Sequence, residues 1–401
     1  MSLPSTATLT PLHVIPRRGD LRYTERFSES YLDDLRTQGD PLADRIIAQF
    51  AATNSLRNYH DLLGEVRERA KREDGIYAEF LSACNDVPAW ADFAAMEAGQ
   101  RMIGAFPAHM GLALFAGSLV GGAVFRKMTI VTAMTGMLSG DPSRRLNETG
   151  AMVLRMAFPN ALQPGCSAHE LLMRVRLLHS AVRHYLIQSG RFKHPTEVPI
   201  NQQDLAITLA LFGYFNVRSL ARMGIRFSEQ ELASFTLLWR YAGYVLGIRE
   251  DLLPVSMRDQ QEFFFACLKH QALPEKMSPE IKCLLDHMAK SFTKRIPGLP
   301  FGTAQKFLHQ SCRYLCGNEY VTGMQIEDAG DDYWGIQLLK GLGSAGSLAQ
   351  RYLPLGSELL YRAGTVIVRG TLAEIKRERD VEGEYRVRTA DRAAHGANKA
   401  A

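Results

Sequence analysis

The sequence predicts an all-α protein. Two observations carry this. Apolar residues recur at three- and four-residue spacing along most of the chain, and the periodic stretches are bounded by helix start and stop residues. A chain of 401 residues is long enough to bury a sizeable core, as one large domain or two fused parts. Hydrophobic residues make up 46% and charged residues 22%, the balance of an ordinary soluble globule. The net charge of +5 comes from Lys and Arg interspersed with Asp and Glu, so no basic stripe argues for nucleic acid. The six cysteines form no secreted framework. Cys312 and Cys316 sit at helical spacing without a second pair to complete a zinc site, so reduced core thiols are expected.

Residues 1–25 read as an extended arm. Arg17-Arg18 is followed by no apolar run, so neither a secretory nor a twin-arginine signal is expected, and the cytoplasm is the default location. Residues 29–83 alternate charged helix with short apolar stripes. Met102–Phe125 is the most apolar stretch of the chain and nearly long enough to span a bilayer. Pro107, His109, five glycines and the flanking Arg101, Arg126 and Lys127 argue instead for a buried helix-turn-helix lining a cofactor cavity. Asp141-Pro142 opens the next helix as N-cap and first-turn proline, and Pro159 closes it. Arg145, Glu148, Thr149, Met152 and Met156 share one face of that helix. Taken alone, the mixture reads as a partly exposed helix with Glu148 paired to Arg144 or Arg145.

Glu170–Ser189 is the stretch around which the rest is organised. Ser167 and Glu170 have capping-box spacing, and Gly190 follows as a left-handed stop. At 3.6 residues per turn, Leu172, Val175, Arg176, Val182, Arg183 and Leu186 share a face with His179. Val175, Val182 and Leu186 fall to one side of the imidazole, Arg176 and Arg183 to the other. Such a face suits a flat apolar ligand with two carboxylates at one edge and a metal at its centre, which describes haem. Read from this helix alone, a hydrogen-bonded core histidine with two arginines paired to protein carboxylates is the more usual arrangement. His184 lies well off the His179 face, and His109 is the best spare ligand.

The arrangement Arg145-x-x-Glu148-Thr149, then thirty residues to His179, then Arg183, resembles the latex-clearing proteins. These bacterial rubber oxygenases share a domain with fungal oxygenases that cleave a terpenoid side chain in mycophenolic acid biosynthesis. Pro199-Ile200-Asn201-Gln202-Gln203-Asp204-Leu205 and Trp239-Arg240-Tyr241-Ala242-Gly243-Tyr244-Val245-Leu246-Gly247-Ile248 look like that family's later motifs. The likeness runs from about Trp90 to Pro254, and more loosely to about Asp332. It implies a globin-like helical core with additional helices and a b-type haem. His179 would be the proximal iron ligand, and Arg176 and Arg183 would neighbour the haem at its propionates. Arg145 and Thr149 would stand on the distal side. The family's Arg-x-x-Lys-Thr lysine is replaced here by Glu148, a group able to ligate iron or to accept a proton from a peroxide or an allylic C–H. The family also assigns a base to a carboxylate upstream of this motif. Gly121–Thr135 holds no acid, so Glu148 would replace both groups.

Beyond Pro254 the pattern stays helical. Phe263-Phe264-Phe265 reads as core, Leu339–Gly346 as a flexible hinge, and residues 371–401 as a charged, disordered tail after a domain spanning residues 26–370. The expected activity is haem-dependent oxidative cleavage of a C=C bond in an apolar or terpenoid-like substrate, with dioxygen or peroxide as co-substrate. Glu148, Thr149 and Arg145 would form the catalytic set, and no membrane span is expected. Two other readings keep the haem: a peroxidase or peroxygenase using Glu148 for proton transfer, and a non-enzymatic haem-binding or sensing protein.

Overall fold

The computed structural model describes residues 16–53, 61–72, 75–134, 142–271, 279–324 and 333–382, with Val14, Ile326 and Gly330 besides. Every regular element among them is helical, as the periodicity predicts. The first helices are opened by side-chain caps that satisfy otherwise orphaned amides. At α1 (Glu29–Arg36) the Ser28 hydroxyl accepts from the Tyr31 amide. At α2 (Pro41–Ala52) the Asp40 carboxylate accepts from the Ala43 amide, with Pro41 in the first turn. α3 (Leu62–Ala70) and α4 (Ile76–Asn85) pack on each other, and α4 also packs against α2.

The apolar stretch folds as α5 (Glu97–Ala105) and α6 (Pro107–Gly122), bent by 89° where Phe106 meets Pro107. No single helix among the described residues is long and apolar enough to cross a membrane; only this bent pair passes together. α6 widens to a π-helix over Ala113–Leu119. After α7 (Arg126–Met134), α8 (Pro142–Arg155) and α9 (Ser167–Gln188), α10 (Gln202–Ala210) runs through a second π-helical stretch, Leu211–Phe215, into α11 (Asn216–Arg222). The two π stretches face each other, and the Ser118 hydroxyl donates to the Leu211 carbonyl (2.7 Å).

α12 (Glu229–Val245) opens with a full capping box, Ser228 and Glu231, and lies along α5 so closely that Gly99 sits on the Ser234–Phe235 backbone. Its Trp239 is sealed in the core, stacked on Phe212 at 5.1 Å. Phe263 and Phe264 of α13 (Met257–His270) are core, as expected, with Phe264 among Phe125, Tyr214 and Phe215. α14 (Pro279–Arg295), α15 (Phe301–Cys316) and α16 (Asn318–Gly323) complete the body. α17 (Trp334–Tyr352) and α18 (Gly356–Glu382) form a helical hairpin laid on its outside.

Three local expectations are corrected. The capping box expected of Ser167 and Glu170 does not form: α9 takes Ser167 into its first turn, and no side-chain cap forms at its N-cap Cys166. Glu170 instead pairs with Arg67 of α3 (3.0 Å), a stronger claim on the carboxylate than a neutral amide. Gly190 does adopt the left-handed conformation, at φ +64°. Leu339–Gly346 is no hinge, because it lies inside α17. Gly343 there brings the helix onto the Met223 carbonyl, where a side chain would not fit. Helix α18 continues past residue 371 to Glu382, so the first part of the expected tail is ordered; residues 383–401 lie outside the described residues.

Candidate functional site

α9 lies between α2, α3, α8 and α12, and its rotation about its own axis decides where His179 points. Two collars, one buried and one half-buried at its carboxylate, fix that rotation. Arg176 makes a two-pronged pair with Asp40, Nε to Oδ2 at 2.6 Å and Nη2 to Oδ1 at 3.0 Å, with Cys84 Sγ and the Phe80 ring on its other sides. Burial alone would lower the Arg176 pKa, but the Asp40 carboxylate outweighs it and holds the guanidinium above its ordinary value. One turn along α2, Asp44 pairs with Arg183 and accepts from the Ser180 hydroxyl. Arg183 also donates to the carbonyls of Pro199 (3.1 Å) and Ile200 (2.5 Å).

The motif residues that follow α9 converge on these collars. Gln202 donates to the Gly39 carbonyl (2.8 Å) and the Gly247 carbonyl (3.1 Å), and accepts from the Arg249 amide (3.0 Å). It thereby ties together the two glycines that roof the ion pairs. A side chain at Gly247, held at φ +79°, would fall on Asp40 and Arg176; one at Gly39 would fall on Asp44 and Arg183. Asp204 and Glu197 neutralise the buried Arg36, at 3.0 and 2.9 Å. Gln203 adds a bond to the same guanidinium (3.0 Å).

The sequence reading had Arg176 and Arg183 meet a ligand's carboxylates. In the structure both meet protein carboxylates, the alternative left open by the helix alone. Asp40 and Asp44 were not singled out from the sequence, although two acids one turn apart can face two arginines two turns apart when helices cross. Burial pushes the neighbouring Cys84 thiol up to about 11, so it is not a thiolate at neutral pH.

With the arginines turned to α2, the other flank of His179 is apolar and incompletely covered. Leu171, Val175, Leu178 and Val182 are half-buried along one stripe, as His179 is itself. The His179 Nδ1 is sealed from solvent. On α8, Met152 and Met156 are core, Glu148 is half-buried and Thr149 is exposed. Among its described side chains, the mixed stripe of α8 is therefore fully buried only at Met152 and Met156. The Arg145 side chain lies outside the described residues. His184 is half-buried, away from the His179 face. His109 is buried, and its Nε2 donates to the Leu339 carbonyl (2.9 Å) under the α17 backbone.

No group of three His, Cys, Asp or Glu side chains among the described residues is arranged to hold a metal ion. A haem does not need one, because the porphyrin supplies four donors and the protein one or two. A single imidazole beside a half-open aliphatic stripe fits that ligand. The site offers it no free arginine on α9 for its carboxylates.

A family model described as "ER-bound oxygenase mpaB/B'/Rubber oxygenase, catalytic domain" matches residues 101–344. The rubber oxygenase of Streptomyces sp. (strain K30) is 25% identical over 186 residues, a stretch covering 45% of this chain and 45% of that protein. The chain thus aligns with less than half of that relative's length. The solved structure of latex clearing protein LCP in the closed state superposes with a TM-score of 0.62 at 18% identity, covering 83% of this chain and 90% of that one. The all-α architecture is therefore shared with it. Since the family model spans α9 and the motifs that follow it, and more than half of the chain, the protein belongs to the mpaB/rubber oxygenase catalytic-domain family.

Proposed function

We propose that this chain is an oxygenase that holds one b-type haem through His179 and cleaves a C=C bond in an apolar, terpenoid-like substrate. The observation that carries the reading is the placement of His179. It lies within the family domain, on a helix held in rotation by two ion pairs to α2, beside a half-open aliphatic stripe. The haem, when bound, supplies an iron centre for dioxygen or peroxide chemistry. His179 is its protein ligand, and Leu171, Val175, Leu178 and Val182 pack its ring and exclude water. Arg176 and Arg183 are positioning residues that hold α9 against α2.

Glu148, half-buried on α8, is proposed as the base that takes a proton from an allylic C–H of the substrate, with Thr149 and Arg145 orienting it. The family lysine at this position would be a cation, unable to accept that proton. The test is spectroscopic: titrate the purified chain with hemin and read the Soret band. One equivalent bound, followed by oxygen uptake with an unsaturated terpenoid, supports the reading. A chain that stays colourless with excess hemin ends it.

A further inference from the structure

We propose that the outer face of the α17–α18 hairpin is a self-association surface that a second copy of this chain covers. α17 lies on the body through Gly335, Ile336, Gly343 and Ser347, and α18 through Tyr361, Gly364, Thr365 and Val368. The two helices pack side by side, each facing inward on that flank, so their opposite flanks form one outer surface. Along α17 this surface carries Trp334, Leu338, Gly341, Ala345, Leu348 and Tyr352, all exposed and spaced four, three, four, three and four. Leu359, Ala363, Val366 and Gly370 continue the same alternation on α18, likewise exposed. Trp334 is 58% open, Tyr352 72% and Val366 69%. No charged residue interrupts either seam.

Such four-three spacing is the requirement for helix-on-helix packing. The mixture of sizes decides between occupants. Gly and Ala contribute little to partitioning into lipid, yet they take two of the positions in each seam, between or beside the large side chains. Against another helix pair they are the holes that accept Leu, Val and Trp knobs, and a two-fold axis lets one surface supply both. Added side chains at Gly341 and Gly370 would meet nothing within 4 Å in a single chain, so that space is open to a partner. The open apolar area is on the order of 1,000 Å² per copy, beyond the largest patch of an ordinary monomer and enough for a stable interface. The chain's own C-terminal residues 383–401 are charged and Ala-rich, poorly suited to cover it.

Light scattering and sedimentation of the full chain at tens of micromolar test this. The wild type is expected to be a dimer. Leu338→Glu with Val366→Glu places charges in both seams at positions open to solvent, and should give monomers with unchanged helical circular dichroism. Gly341→Leu adds bulk that a single chain accommodates and a packed partner does not, and should weaken the dimer at least about tenfold. A monomeric wild type overturns the proposal. So does a dimer that survives both variants, because its interface then lies elsewhere. Co-sedimentation of a monomeric wild type with phosphatidylglycerol–phosphatidylcholine vesicles, lost in the double variant, would assign the face to lipid instead.

Discussion

Asp40→Asn separates a collar from a ligand-binding role for Arg176. The substitution keeps the side-chain size and a capping oxygen for α2 but removes the charge that neutralises the guanidinium. Asp40 is 5% exposed at its side chain and Arg176 10%, so solvent screens little of their pairing. Breaking one partner of a buried pair leaves an uncompensated charge, at a cost of about 3–5 kcal/mol. In urea that lowers the unfolding midpoint by roughly 1 M or more for a chain of this size. Arg176→Met should cost a comparable amount, since it strands Asp40 and removes the cation over Phe80. The double variant should cost clearly less than the two singles together. Hemin titration of the same proteins supplies the second readout. If Arg176 acts through α9, Asn at 40 and Met at 176 should weaken hemin binding in parallel. An Asp40→Asn protein within about 0.5 kcal/mol of wild type, beside an Arg176→Met protein that selectively fails to bind hemin, would return Arg176 to the propionates and refute the collar.

Three further outcomes are expected. His179→Ala should abolish the Soret band on hemin addition while His184→Ala leaves it, since only one of the two sits on the half-open stripe; equal effects would mean that the wrong face was chosen. Glu148→Gln keeps the size and removes the ionisable group, so it should suppress turnover and any acid limb in its pH profile while hemin affinity stays within about twofold; full activity would remove Glu148 from the chemistry. Stability should fall on the acid side. Burial lowers the pKa of His109 and of His169, with backbone hydrogen bonds to Leu339 and Cys84 opposing it. Each folded pKa is then below its unfolded value, so the neutral form's contribution is complete above about pH 6.5 and is lost as pH falls through the folded value. Melting temperatures measured from pH 8 to 5 should decline below that point, and less steeply for His169→Gln.

Helix type and order were legible in the sequence because they depend on local signals. Periodicity, the Pro107 break, the Pro142 start and the Gly190 stop all correspond to real boundaries. Where two partners competed for one side chain, local signals failed. Glu170 has the spacing to close a capping box, yet a guanidinium from α3 takes it. The glycines of Leu339–Gly346 look like flexibility in one dimension; in three they allow backbone contact with Met223 and Gly224. The partners of Arg176 and Arg183 lie 136 and 139 residues away in sequence, beyond the reach of any helical wheel.

That distance explains why the support of α9 is harder to read in the sequence than the face on which His179 lies. On the wheel, Arg183 and Arg176 stand about 40° and 60° from His179, each at 100° per residue. A rotation of α9 that moved the imidazole to a new neighbour would drag both guanidiniums out of their carboxylates. The collars therefore specify the azimuth of His179 rather than add to its chemistry. Useful placement of a ligating group requires about 0.5 Å and 10–20° of tolerance, which a lone apolar face cannot enforce because aliphatic contacts slide. Two directional ion pairs, seven residues apart on α9 and four apart on α2, can enforce it. Gly39 and Gly247 leave room for them, and Gln202 fastens those two glycines to each other. The later family motifs, those after α9, thus act on the rotation of α9 and through it on the direction in which His179 faces.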